Sequence, residues 1–170
     1  MQPSCKHLSR LEDQPLEKGT MNPMDLSKSY PRSVHEKFAG IVQIGRTVDK
    51  ARASLTDTLG EYHYNCGMDQ AVFKFLGVTD HEAFAREIGR RTDAEAEKWI
   101  QETYLASKSP TEIATWNRDW VTTPPAQGSD SAKYFVQLRE TIAPNRIDVT
   151  TWPDLLDLDE QRVVPVRSAA

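Results

Sequence analysis

Four pairs of Ser or Thr followed by Glu three residues later constrain this sequence more than any other pattern. They are Ser33 with Glu36, Thr79 with Glu82, Thr92 with Glu95, and Ser109 with Glu112. In this spacing the hydroxyl oxygen accepts from the third backbone N–H of a helix, and the glutamate accepts from the N–H of the capping residue. Each cap stabilises its helix by about 1 kcal/mol. The pattern predicts four helix starts, including one at Val34.

Apolar residues at helical spacing follow these starts and recur elsewhere in the chain. Val48, Ala51 and Leu55 predict a helix over 47–59 that ends at Gly60, and Asp69 is a candidate cap for a helix ending at Gly77. Similar stripes occur over 84–88, 96–104, 113–120, 135–142 and 155–158. Because alternation of period two is confined to two tyrosines, we expect an all-α fold of six to seven short helices. The predicted core is Val48, Leu55, Phe73, Leu76, Phe84, Trp99, Ile113, Trp116, Phe135 and Leu138.

Composition divides the chain into three parts. Residues 1–23 are polar and lack apolar periodicity, which predicts a disordered N-terminal extension. Residues 24–160 are expected to form one helical domain, because a chain of 170 residues can bury a core without a metal or disulfide. The last segment, 161–170, contains Pro165 and is predicted to be a tail.

Charge and cysteine content exclude several classes of protein. A net charge of -4 argues against nucleic acid as a partner, since phosphate backbones require clustered Lys and Arg. Two cysteines cannot form a disulfide framework, which favours a cytoplasmic location. The sequence has no apolar run long enough to span a membrane and no signal peptide, so we expect no membrane association. It also lacks a Gly-rich phosphate motif, and we expect no cofactor.

The stretch 60–69 concentrates reactive side chains. His63 and Cys66 are spaced H-x-x-C, with Glu61 and Asp69 beside them. Zinc accepts His63, Cys66 and Asp69 as ligands, although structural zinc sites normally have four. Alternatively, Cys66 is a nucleophile with His63 as its base and Glu61 as a further acid or base. The third interpretation has no chemistry: Cys66 is buried, His63 bonds the backbone and Asp69 caps a helix.

A second candidate site lies on the helix predicted over 47–59. Arg46 and Lys50 are one turn apart with Asp49 beside them, which is a pattern that can hold an anion. Tyr62 is a further candidate for ligand binding, although packing is its simpler role. The alternative is a solvated charged face in which Asp49 pairs with Arg46 or Arg52.

Other aromatic and charged residues are expected to have ordinary structural roles. Trp99, Trp116 and Trp120 lie on apolar stripes, so we expect them in the core and not on a stacking surface. Arg90 and Arg91, and the acidic residues near the end, are expected to be solvated charges or a partner surface. These acidic residues are Asp154, Asp157, Asp159 and Glu160.

Several motifs resemble a bacterial family catalogued only as a domain of unknown function. They are Asp-Leu-Ser-Lys-Ser-Tyr-Pro-Arg-Ser at 25–33, Asp-Lys-Ala-Arg-Ala at 49–53, Gly-Glu-Tyr-His-Tyr-Asn-Cys at 60–66, and segments 142–146 and 151–157. The resemblance covers about 25–160 in the same order. It implies a compact, mostly helical bacterial protein and brings no activity with it.

Two functional hypotheses follow. The leading one is a non-catalytic binding or interaction protein with a protein or small-molecule partner, because none of the patterns specifies a reaction. The competing one is an enzyme or metal-binding protein centred on His63, Cys66 and Asp69, with Glu61 as acid or base and Arg46 as an anion clamp.

Overall fold

A computed structural model describes residues 24–166, and the predicted extension 1–23 lies outside them. The all-α prediction is confirmed, since this part of the chain holds seven α-helices and only an isolated β-bridge between Phe38 and Ile41. The helices are α1 Ile44–Leu55, α2 Gly67–Leu76, α3 His81–Gly89, α4 Asp93–Ile100, α5 Pro110–Thr122, α6 Asp130–Ile142 and α7 Trp152–Asp159. A π-helical turn, Gln101–Leu105, extends α4.

Two of the four predicted caps form as expected. The backbone N–H of Thr92 donates to Glu95 at 2.8 Å, and that of Ser109 donates to Glu112 at 2.8 Å. The corresponding serine and threonine hydroxyls accept from the third backbone N–H of α5 and α4. These caps can be predicted because every atom in them belongs to one short segment.

The other two predicted caps are wrong. The cap of α3 is Asp80, whose carboxylate accepts from Ala83 N at 2.8 Å, so the helix begins one residue later than Thr79 requires. No helix begins at Ser33. Its hydroxyl instead donates to Asp157 at 2.7 Å, and the chain continues in turns until α1 starts.

Helix α1 is the central element of the fold. All ten residues from Ile44 to Ala53 are buried, and the helix packs against α2 and α3. It ends at Leu55, before the Gly60 predicted to end it. Gly60 lies in a later turn at φ +60°, where a Cβ would come within 2.7 Å of Ser27 Cα. Leu55 is also a wrong core prediction, because the last turn of α1 leaves it 48% exposed.

The apolar interior has two parts. The larger part surrounds α1 and includes Phe38, Ile44, Val48, Phe73, Phe84 and Ile100. The smaller part joins Phe135 of α6, Leu155 of α7, Val149 and Val164. Val164 belongs to the segment predicted as a tail, which has no helix over 161–166 but contributes this buried side chain.

None of the helices within residues 24–166 is both long and apolar enough to cross a membrane.

Candidate functional site

The buried face of α1 carries four charged side chains, Arg46, Asp49, Lys50 and Arg52, which we call the α1 ionic cluster. Their exposure is between 3% and 8%. Each pairs with a residue from a different segment, and these partners are Glu160, Arg32, Asp69 and Asp93. Buried charges need such partners because desolvation of an isolated charge costs several kcal/mol. The cluster therefore connects α1 to four distant parts of the chain.

Asp49 pairs with Arg32, and not with Arg46 or Arg52 as predicted. The guanidinium of Arg32 donates to Asp49 Oδ1 at 2.6 Å, and its backbone N–H donates to Oδ2 at 2.8 Å. Arg32 and Arg52 both donate to Asp93, at the start of α4. Burial lowers the pKa of Arg32, but the hydrogen bond and charge of Asp49 outweigh this effect and raise it.

Arg46, the predicted anion clamp, is already occupied by a carboxylate of the same chain. Its guanidinium donates two hydrogen bonds to Glu160, one of them at 2.9 Å. Tyr62 donates to the same carboxylate at 2.9 Å, and Arg162 also donates to it. Burial raises the pKa of Glu160, while the hydrogen bonds from Arg46 lower it and prevail. Burial and the hydrogen bond to Glu160 both raise the pKa of Tyr62, which therefore stays a neutral donor.

The acidic residues near the end are mostly not solvated, contrary to prediction. Asp154, Asp157 and Glu160 are buried, and only Asp159 is exposed. Asp154 contacts His35 at 3.0 Å, and Asp157 accepts from Ser33. Asp154 and Asp157 therefore connect α7 to the segment that precedes α1.

Lys50 contacts both Asp69 and Cys66. Its ammonium donates to Asp69 Oδ2 at 2.7 Å and lies 3.3 Å from Cys66 Sγ. Asp69 is fully buried and also accepts from Thr47 at 2.8 Å. The predicted cap is corrected here, because Cys66 is the N-cap of α2 and Asp69 is its third residue, accepting from Cys66 N at 3.2 Å.

His63 and Glu61 do not join this group. Both side chains are exposed, and His63 Nδ1 lies 3.1 Å from the carbonyl oxygen of Glu61. Lys50 reaches only the backbone carbonyl of His63, at 3.2 Å. Of the residues the structure describes, no three His, Cys, Asp or Glu side chains are placed to hold a metal ion.

A large groove runs along α5 and is also lined by Met68 and Phe75 of α2. We call it the aromatic groove, and its volume is about 740 Å³. Its apolar walls are Phe75, Trp116, Trp120, Pro124, Pro125 and Trp152. They come from α2, α5, the α5–α6 connection and α7, so the fold assembles the groove from separate segments.

Three rings of the groove form one stack. The centroid of Trp116 lies 4.3 Å from that of Phe75 and 4.7 Å from that of Trp120. Trp116 and Trp120 are four residues apart on α5, which places them on one helix face. Lys108 Nζ lies 5.0 Å from the Phe75 centroid at the other end of the stack. Trp116 packs against the core as predicted, but both Trp116 and Trp120 are half-buried and line the groove.

The polar side chains that line the groove are two carboxylates and several Ser and Thr hydroxyls. The indole nitrogens of Trp116 and Trp120 are buried without a hydrogen-bond partner among residues 24–166. Glu112 and Asp119 line the groove, and among the residues that the structure describes the lining includes no Lys or Arg. The hydrogen bond from Ser109 N lowers the pKa of Glu112, so this carboxylate is ionised at neutral pH.

Residues 28–162 match the family described as Domain of unknown function (DUF5069). The match spans well over half of the chain, so the protein belongs to this family, as the resemblance of its motifs implied. The family description assigns no activity. A search of curated proteins found no match to this chain.

Proposed function

We propose that this DUF5069 member is a non-catalytic binding protein of the bacterial cytoplasm and that it binds its partner in the aromatic groove. The observation that carries the proposal is the groove itself, about 740 Å³ in volume and lined by three tryptophans and a phenylalanine. Ligand sites of proteins are concave, mostly apolar and about 300–1,000 Å³ in volume. Tryptophans are also the residues that most often dominate binding energy.

The residues that suggested catalysis offer less support for a reaction. Asp69 is buried in its ion pair with Lys50, and the exposed His63 side chain contacts its neighbouring backbone. An enzyme or metal site centred on His63, Cys66 and Asp69 would require these groups to leave their present partners. Cys66 is a free cysteine, which agrees with a reducing cytoplasm.

The proposal is tested by NMR of the four tryptophan indole N–H groups in ¹⁵N-labelled protein. The probes are small aromatic fragments and short synthetic peptides added at increasing concentration. We expect probes to shift the signals of Trp116, Trp120 and Trp152, which line the groove. Trp99 serves as an internal control, because it packs against Phe84 and Tyr104 away from the groove.

Two variants test whether probes bind in the aromatic groove or at the reactive stretch 60–69. Trp120→Ala should weaken binding of any probe that shifts the groove signals by at least tenfold, and Cys66→Ser should leave it unchanged. Circular dichroism and thermal unfolding check that both variants fold. Failure of every probe to shift the groove signals, or equal shifts of all four, would overturn the proposal.

A further inference from the structure

The length of the aromatic groove favours an extended ligand. Its lining includes Thr111 in the first turn of α5 and Thr123 just after the last. Twelve residues of helix rise about 18 Å. A chain in the polyproline II conformation rises about 3.1 Å per residue, so roughly six residues span this distance.

The walls of the groove fit proline in particular. Proline-rich segments dock in grooves lined by aromatic rings, and their preformed conformation lowers the entropy lost on binding. Such a segment makes no internal hydrogen bonds, so its carbonyl oxygens are free to accept. The threonine side chains that line the groove, Thr111, Thr115 and Thr123, carry hydroxyl groups that can donate to these carbonyls.

The acidic side chains of the groove lining favour a ligand that carries positive charge. Glu112 and Asp119 are seven residues apart on α5, which is two helical turns or about 10.5 Å along the groove. Asp119 also contacts the exposed Arg118 at 2.8 Å, and Lys108 lies near Phe75 at one end of the stack, while the lining residues within 24–166 include no Lys or Arg. Two carboxylates beside tryptophan rings form a surface that attracts Arg or Lys through charge and cation–π contacts.

We propose that the occupant of the aromatic groove is an extended, proline-containing peptide segment that carries basic side chains. This inference rests on the proposed function and names the chemistry of the partner. Prolines pack against the rings of Trp116, Trp120 and Trp152, and basic side chains lie beside Glu112 and Asp119.

Fluorescence anisotropy with labelled six-residue peptides tests the inference on the full chain. The probe is Pro-Pro-Arg-Pro-Pro-Arg, compared with the same peptide carrying Glu for Arg and with one carrying Gly for Pro. We expect the basic proline peptide to bind at least tenfold more tightly than either comparison peptide. Its affinity should fall as salt rises, because the contact with the carboxylates is exposed.

Two double variants test whether the basic side chains of the peptide contact Glu112 and Asp119. Glu112→Gln combined with Asp119→Asn should weaken binding of the basic peptide about fivefold or more, and glutamine retains the cap of α5. The matched control, Glu82→Gln combined with Glu140→Gln, changes the net charge equally at exposed positions away from the groove. The control should bind like the unmodified protein.

Several results would overturn the inference. Equal or tighter binding of the acidic peptide would show that basic charge is not recognised, and equal or tighter binding of the glycine peptide would show that proline is not recognised. Tight binding of a basic amphipathic helical peptide, with none of the proline peptide, would identify a helix as the occupant. If aromatic fragments shift the groove tryptophans while no peptide binds, the inference fails and the proposed function stands. If nothing shifts these signals, both fail.

Discussion

The α1 ionic cluster and the aromatic groove differ in how completely the fold satisfies their side chains. In the cluster, Arg46, Asp49, Lys50 and Arg52 are buried, and each has an opposite charge in contact. In the groove, rings stay partly exposed and two indole donors have no acceptor within residues 24–166. A buried charge that loses its partner is costly, so each pair of the cluster holds two segments together. The four charged side chains of the cluster are therefore enclosed by partners from their own chain, whereas the rings of the groove remain partly open to solvent.

Among the substitutions in the ionic cluster, Asp69→Ala is expected to lower the free energy of unfolding the most. It removes the fully buried partner of Lys50, and a buried charge left without its partner destabilises the fold by about 3–5 kcal/mol. We expect a loss of that size in the free energy of unfolding, measured by urea denaturation. Asp69→Ala combined with Lys50→Met should recover part of it, because no charge remains unpaired. A loss below about 1 kcal/mol would show that the pair contributes little.

Glu160→Gln gives a smaller effect that depends on pH. Hydrogen bonds to a charged group contribute about 1.5–3 kcal/mol, and we expect this loss at pH 7. The pKa of Glu160 is lowered in the folded state from an ordinary value of 4.5. Its stabilisation is thus complete above about pH 4.5 and is lost as the pH falls through the folded-state pKa.

The measurement is the difference in unfolding free energy between the two proteins from pH 7 to pH 3. This difference should shrink on acidification. Glu140→Gln, at an exposed position, should show no comparable trend. A difference that stays constant over the whole range would contradict the assigned role of Glu160.

Cys66→Ser and His63→Ala should have the smallest effects. Serine is a favoured N-cap residue, so its substitution at the start of α2 is expected to change stability by less than about 1 kcal/mol. His63 is exposed, and its removal should cost less than about 0.5 kcal/mol. Thermal and urea unfolding measure both. Loss of a defined catalytic activity in either variant would instead support the competing enzyme hypothesis.

Local features of the fold could be predicted from sequence, and long-range ones could not. The caps at Thr92 and Ser109 depend on neighbouring residues, which is why their spacing predicts them. Ser33 has the same spacing, but its hydroxyl contacts Asp157, 124 residues away. The sequence pattern contains no signal for that contact, and the predicted helix does not form.

In the candidate sites, too, local features could be predicted from the sequence and long-range contacts could not. Trp116 and Trp120 are spaced to share a face of α5, where they stack, although their apolar stripe predicts core packing and not a stacking surface. Phe75 and Trp152 reach the groove from other helices, which no spacing indicates. The pattern at Arg46 and Lys50 predicts an anion site because it does not show which carboxylates will pair with these side chains. The structure shows that both partners, Glu160 and Asp69, come from outside α1.

The pairing of Arg46 with Glu160 also has a consequence for synthesis on the ribosome. The two residues are 114 positions apart, and at about 5–20 residues per second the second follows the first by roughly 6–23 s. Throughout that interval, Arg46 lacks Glu160, the carboxylate that it contacts in the folded domain. The helix at the centre of the domain can therefore complete its burial only when nearly all of the domain has emerged.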